Sequence, residues 1–286
     1  MKNKLKVNLL SKIVSLIFSI VSFSPKKINI TYHNGESIFT YPEKKWNLVP
    51  FPNQKGTLFV ADNLATVNRH SFISNKKFQD SKRIAESRWN SLVIPRDISW
   101  RFHIFLWAFG QNLSHKSIKN SIFVECGTGK GYMAAGACSY FRFNSNSPDL
   151  YLVDRYEDSP VDFTKSSKKI AKSFQTTDAY SNDVKEVEEY FSKYSSVKIL
   201  KGLIPDILKK IPSKPILFLH IDLNSSQPEK EALETLSKNF IPGTIILFDD
   251  YGGPGGELQA VEHEGFAFKN KKELLTLPTG QAVIIW

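Results

Sequence analysis

Three carboxylates in the last quarter of the chain, Asp222, Asp249 and Asp250, have the residue type and the placement for metal chemistry. They close two apolar runs, residues 217–222 and 245–249. If those runs are neighbouring strands, the three acids converge on one rim, where they repel one another and raise their own pKa values. An all-oxygen set without His or Cys suits a hard cation such as Mg²⁺ or Ca²⁺, completed by water or substrate hydroxyls. Asp222 is the candidate catalytic residue as well as a metal ligand. The same acids can alternatively line a pocket for a cationic ligand. His220 shares the strand parity of Asp222 and is read as a structural histidine.

A second group lies upstream. Residues 123–132 read FVECGTGKGY, an apolar run, an acid and three alternate glycines, followed by the small-residue run Met133, Ala134, Ala135 and Ala137. Strand, glycine turn and helix N-terminus bring backbone N–H groups up to a ligand. A dinucleotide fingerprint needs a third glycine where Tyr132 stands, so the spacing argues against it. It is similar instead to the loop that holds S-adenosylmethionine in Rossmann-like methyltransferases. Asp154 lies 27 residues after Gly127 at the end of the apolar run YLVD, placed to accept both ribose hydroxyls of an adenosyl group. The candidate cofactor-binding residues are Glu125, Cys126, Gly127, Thr128, Gly129, Gly131, Asp154, Arg155 and Gly202.

These residues require strands whose carboxyl ends meet. After the glycine loop, strand and helix patterns alternate: strands at 151–154, 197–200, 215–222 and 244–248, helices at 184–194 and 228–239, with Pro242-Gly243 as a turn. Two further strands, 273–277 and 281–286, flank the turn Pro278-Thr279-Gly280. The expected fold is α/β, a Rossmann-like doubly wound sheet of about seven strands, mostly parallel with a C-terminal antiparallel hairpin, plus an N-terminal helical and irregular extension. Ligands of such sheets sit outside the strand carboxyl ends at the switch point.

The domain division expected is a basic extension over 1–80 and a catalytic domain over 81–286. Residues 80–113 read as helical and dense in aromatics, interrupted by Arg101 and His103, which either face a ligand pocket or, the preferred reading, are hydrogen-bonded structural residues. Residues 24–82 read as irregular. The net charge of +10 is uneven: residues 1–120 hold 19 Lys/Arg and 6 Asp/Glu, residues 121–286 hold 19 and 22. A basic appendage fits an anionic surface, either membrane or glycan or nucleic acid. The apolar stretch within residues 1–23 is too short and too interrupted by Lys12 and serines for a span, and suits a docked helix or a peripheral membrane contact. Two cysteines, Cys126 and Cys138, make no disulfide framework and point to a reducing cytoplasm.

Residues 121–286 resemble the macrocin O-methyltransferase family (TylF/MycF type). VECGTGKG at 124–131, LHID at 219–222 with Ala232-Leu233-Glu234, PGTIILFDDYG at 242–252 and LPTGQ at 277–281 carry the resemblance. It implies S-adenosylmethionine as methyl donor, a divalent metal, Mg²⁺, on Asp222, Asp249 and Asp250, and a sugar or other polyhydroxylated small-molecule or glycan acceptor. Where the family places a second acid and a tyrosine, this chain has Asn224 and Ser226, and an amide cannot act as a general base. The leading reading is an O-methyltransferase, alternatively a non-catalytic binding module, and last an NAD-dependent oxidoreductase. A homo-oligomer is compatible with it, and specific nucleic-acid binding is not expected.

Overall fold

The computed structural model describes residues 71–88, 97–156, 183–252 and 257–286, together with five short strands in the N-terminal part. By its internal contacts the chain divides into two units, Met1–Phe59 with Thr66–Asn68, and Val60–Ala65 with Arg69–Trp286. Residues 1–23, including the stretch read as a surface helix, lie outside the described residues. Among the described residues no helix is long and apolar enough to cross a membrane.

In the first unit, β1 (Asn29–His33), β2 (Glu36–Tyr41) and β3 (Lys44–Asn47) pair antiparallel in sequence order. The register pairs His33 with Glu36, and the intervening sequence, Asn-Gly, is a dipeptide that favours a two-residue hairpin. The reading of residues 24–82 as irregular, which rests on their prolines, misses this meander. Two further short strands, β4 (Phe59–Ala61) and β5 (Leu64–Thr66), pair with each other.

The second unit opens with α1 (Lys76–Glu86), capped by the Asn75 side chain, which accepts from the Phe78 N–H at 3.1 Å. It continues with α2 (Ser99–Gln111). Then strands and helices alternate: β6 (Ile122–Cys126), α3 (Tyr132–Tyr140), β7 (Asp149–Asp154), α4 (Val184–Phe191), β8 (Val197–Lys201), β9 (Ile216–Ile221), α5 (Ser226–Leu236), β10 (Phe240–Phe248), α6 (Glu257–Lys269), β11 (Leu274–Thr276) and β12 (Ala282–Ile285). The seven strands of the sheet are ordered β11-β12-β10-β9-β6-β7-β8. β10, β9, β6, β7 and β8 run parallel, and β12 is antiparallel to both β10 and β11. This is the expected doubly wound sheet with its terminal hairpin.

Both faces of the sheet are covered, so its central strands are mostly apolar, and all residues of β6 and β9 are buried, Glu125 and His220 among them. One face carries an aromatic core, in which Phe105 and Phe109 of α2 pack edge-on against Phe218 of β9. The other carries an aliphatic core, in which Ala232, Leu233 and Leu236 of α5 pack with Val124, Leu219 and Ile246. The helical reading of 80–113 resolves into two helices. Pro242-Gly243, expected as a turn before a strand, instead lies inside the nine-residue β10. The pairing with β9 steps from Phe240↔Ile216 to Ile245↔Phe218, an irregularity that Gly243 permits at φ 97°. The Thr244 hydroxyl ties it down, its one proton shared between the Ile216 carbonyl at 2.5 Å and the Ile241 carbonyl at 2.8 Å while its oxygen accepts from Ile241 N–H at 3.0 Å.

Candidate active site

Chain order reverses between β6 and β9, which places the switch point at their carboxyl ends. The tips there are joined through the backbone. Asp222 N–H donates to the Cys126 carbonyl at 2.9 Å, Asp249 N–H to the Ile221 carbonyl at 3.0 Å, and Gly127 N–H to the Val153 carbonyl at 2.8 Å. The glycine loop and the acids of β9 and β10 therefore form one rim.

The loop needs its glycines for different reasons. Gly127 has φ 90°, and a Cβ on it would stand 1.8 Å from the Asp222 carbonyl oxygen. Gly129 has φ 53° and nothing within 4 Å of a Cβ, so the space in front of it is open to a ligand. Gly131 caps α3 in the left-handed region, with Phe191 of α4 closing the place of its Cβ. Asp154 at the tip of β7 accepts from Gly129 N–H at 2.8 Å and from Tyr156 N–H at 3.0 Å. Each of its oxygens keeps a lone pair for a ribose hydroxyl. Arg88 braces the loop from outside: Nε donates to the Lys130 carbonyl at 3.0 Å and Nη2 to Glu186 Oε1 at 3.1 Å, with the guanidinium 4.1 Å above the Tyr190 ring. Asp154→Ala should weaken S-adenosylhomocysteine binding by about 1–3 kcal/mol, the scale of losing charge-assisted hydrogen bonds. Calorimetric titration that finds unchanged affinity would remove Asp154 from the cofactor site.

Other expected cofactor residues fall less directly on the crevice. The Cys126 side chain is buried in the aliphatic core, where burial pushes its thiol up, so only its backbone borders the rim. Thr128 is buried and its hydroxyl points back to the Glu125 carbonyl. Gly202 follows β8, and a Cβ there would meet Ile207 at 3.0 Å, a packing reason for glycine. Arg155 directly follows Asp154 at the β7 tip. Glu125 is 2% exposed, its Oε1 3.6 Å from His220 Nδ1, and burial raises its carboxyl. His220 stands between Glu125 and Asp249, its Nε2 4.0 Å from Asp249 Oδ1, and packs edge-on against Phe105. It is structural in the sense expected, but part of the polar layer beneath the rim.

Asp222, Asp249 and Asp250 do converge: one carboxylate oxygen from each lies within 4.8 Å of the others. Burial and the charges of Asp249 and Asp250 push Asp222 well above the carboxylate range. Burial and Asp249 push Asp250 up to about 7. Such a cluster is short of positive charge, and three oxygen donors at this spacing fit a hard divalent cation. Arg101 offsets part of the deficit. From α2 its Nη1 donates to the Asp249 carboxylate (Oδ2) and, at 2.9 Å, to the Asp249 carbonyl, while Nη2 donates to the Thr279 carbonyl at 3.0 Å. Gln281 Nε2 holds Asp249 Oδ1 at 2.9 Å. Asn224, at φ 55°, donates from Nδ2 to Asp222 Oδ1 at 3.0 Å.

Beneath the Asp222 turn lies a buried pair absent from the sequence reading. Glu229 Oε1 accepts from Leu223 N–H at 3.3 Å, and its Oε2 shares a proton with His263 Nε2 at 2.7 Å. His263 stacks on Phe248 at 3.9 Å. Burial raises Glu229 from 4.5 to about 8 and lowers His263 from 6.5 to about 3, so the pair is uncharged at neutral pH. Between pH 6.5 and 8 the folded chain holds the Glu229 proton that the unfolded chain has lost, so stability falls as pH rises. Between 4.5 and 6.5 the two effects offset, and between 4.5 and about 3 only the unfolded chain holds the His263 proton, so stability falls as pH drops. Glu229→Gln should flatten the upper limb by up to about 1.4 kcal/mol per pH unit. Denaturant titrations of both proteins from pH 5 to 9 check this, and identical upper limbs would refute it.

The doubly wound sheet, the glycine loop at its switch point and the strand-tip acids define the class: the chain carries an S-adenosylmethionine-dependent methyltransferase domain. Residues 124–251 match the model of a family described as a methyltransferase domain. Among curated proteins no match is found. Among solved structures, the O-methyltransferase NovP is similar at TM-score 0.54 and 17% identity, covering 71% of this chain and 87% of that one. The calicheamicin methyltransferase CalS11 is similar at TM-score 0.53 and 14% identity, covering 77% and 98%. At these identities the likeness is one of fold.

Proposed function

We propose that this chain is an O-methyltransferase that methylates a hydroxyl of a sugar or other polyhydroxylated acceptor with the help of a divalent cation. The reading follows the macrocin O-methyltransferase family that its motifs resemble. One observation carries it: the acid cluster stands directly against the glycine loop, with Gly127 packed on the Asp222 carbonyl. The two matched folds bearing O-methyltransferase and methyltransferase names support it.

When bound, S-adenosylmethionine supplies a sulfonium methyl group, and an Mg²⁺-like ion lowers the pKa of a coordinated hydroxyl. The chain's part is binding and aim. The open side of Gly129 and the free lone pairs of Asp154 receive the donor. Asp222, Asp249 and Asp250 hold the cation, and Arg101 and Gln281 fix the Asp249 carboxylate from two sides. Asn224 holds Asp222 in orientation by its amide and takes no proton. That last contact also favours the second reading, a module that binds donor without turnover.

Calorimetry decides between these. S-adenosylhomocysteine should bind with and without Mg²⁺, and Mn²⁺ should bind with a stoichiometry of one. Methyl transfer to polyol acceptors should stop on chelation. Full-rate methylation by chelated protein would overturn the metal role, and donor binding with no turnover on any hydroxyl acceptor would favour the module.

A further inference from the structure

The helix α6 buries one face, with Gln259, His263 and Ala267, and leaves large apolar residues on the other: Leu258, Val261 and Phe268 are exposed at 50%, 64% and 87%. These are three of the seven large exposed hydrophobics among the described residues, on one helix. At 100° per residue, Leu258, Val261, Gly265 and Phe268 fall within about 80° of arc and form one stripe. A Cβ on Gly265 would meet nothing within 4 Å, so the stripe has a gap in its middle. A solvent-facing apolar stripe of this kind marks an interaction surface.

The spacing of the stripe names the partner. Leu258 and Phe268 lie five positions either side of residue 263, and Val261 and Gly265 lie two either side. A copy of the helix turned end for end about residue 263 therefore sets Leu258 opposite Phe268 and the bulk of Val261 over the gap at Gly265. The same antiparallel register sets the two helix dipoles in opposition, each C-terminal turn beside the other copy's N-terminal turn. The acids between the ends are already occupied within the chain, Glu262 by Lys230 at 3.3 Å and Glu264 by the Tyr251 hydroxyl.

We infer that α6 is the isologous, antiparallel interface of a homodimer, a second copy of this chain being the occupant of the stripe. The inference is independent of the reaction proposed above. The full chain should sediment as a dimer at micromolar concentration. Val261→Asp and Phe268→Glu should each weaken self-association about 30-fold or more, the scale of a central interface contact. S-adenosylhomocysteine binding should stay unchanged, as should the melting temperature once wild type and variant are compared as monomers at high dilution, because both side chains are exposed in the single chain. Register is read by mixing Leu258→Cys protein with Phe268→Cys protein and adding a short bis-maleimide. The mixture should cross-link and neither variant alone should, since like positions are about 15 Å apart along the axis. Cys126 and Cys138 are buried and stay silent. A wild-type monomer up to 100-fold above that concentration overturns the inference, as does a dimer indifferent to both acidic substitutions or cross-linking of either variant with itself.

Discussion

Asp250→Asn is expected to lower methyl transfer by about 100-fold or more while leaving S-adenosylhomocysteine affinity within about twofold. The substitution keeps the shape of the side chain and removes one of three carboxylates whose oxygens stand within 4.8 Å of each other. It should therefore also weaken Mn²⁺ binding, measured by electron paramagnetic resonance without any turnover. Asp249→Asn should abolish transfer as well, with a second effect. Asp249 is the partner of Arg101, whose side chain is only 16% exposed, so its loss leaves a half-buried guanidinium without its carboxylate. A fall in stability of about 1–3 kcal/mol should accompany Asp249→Asn and not Asp250→Asn. Wild-type rates from Asp250→Asn protein, with or without chelator, would leave the cluster as an electrostatic lining for the sulfonium.

Gly127 and Gly129 should fail in different ways. Gly127→Ala places a methyl group 1.8 Å from the Asp222 carbonyl, and both are backbone-held, so neither can yield. Donor binding and metal binding should be lost together, with several kcal/mol of stability, the scale of overpacking added to left-handed strain. Gly129→Val meets no protein atom, and its cost to the fold is about 1–2 kcal/mol of backbone strain. It fills the space kept for the donor, so S-adenosylhomocysteine affinity should fall below detection while Mn²⁺ still binds. Parallel calorimetry on the two variants checks the contrast, and equal effects on both ligands from Gly129→Val would refute it.

The fold was legible because the strands around the crevice are buried on both faces and the glycines that follow β6 need positive φ. Strand-tip acids were legible for the same reason, as charges ending an apolar run. Arg101 was legible as a hydrogen-bonded exception in an aromatic helix, but its partner was not. It lies 148 positions before Asp249, and nothing local in a run of Trp, Phe and His says that the arginine reaches a strand tip. Glu229 and His263 were missed because each looks like an ordinary helix residue until α5 and α6 bury them together. Gln281 was visible only as part of LPTGQ, without a role. The N-terminal meander was missed although Asn34-Gly35 announces a hairpin, since short strands with polar residues show weak alternation.

The irregularity at Pro242-Gly243 governs how this site tolerates insertions and deletions. Between Phe240 and Ile245 the pairing offset of β10 against β9 changes by three residues, an odd number. Side chains of a strand alternate in face, so an odd step inverts which face every later residue presents. Loss of one residue there would exchange the faces of Asp249 and Asp250 and carry the acids away from Arg101, Gln281 and Asp222, with the strand itself intact. Loss of two would restore the alternation at the expense of reach. The facing of the strand-tip acids is therefore phased by a segment remote from them, and length variants at 241–244 should keep the site in pairs of residues and seldom singly.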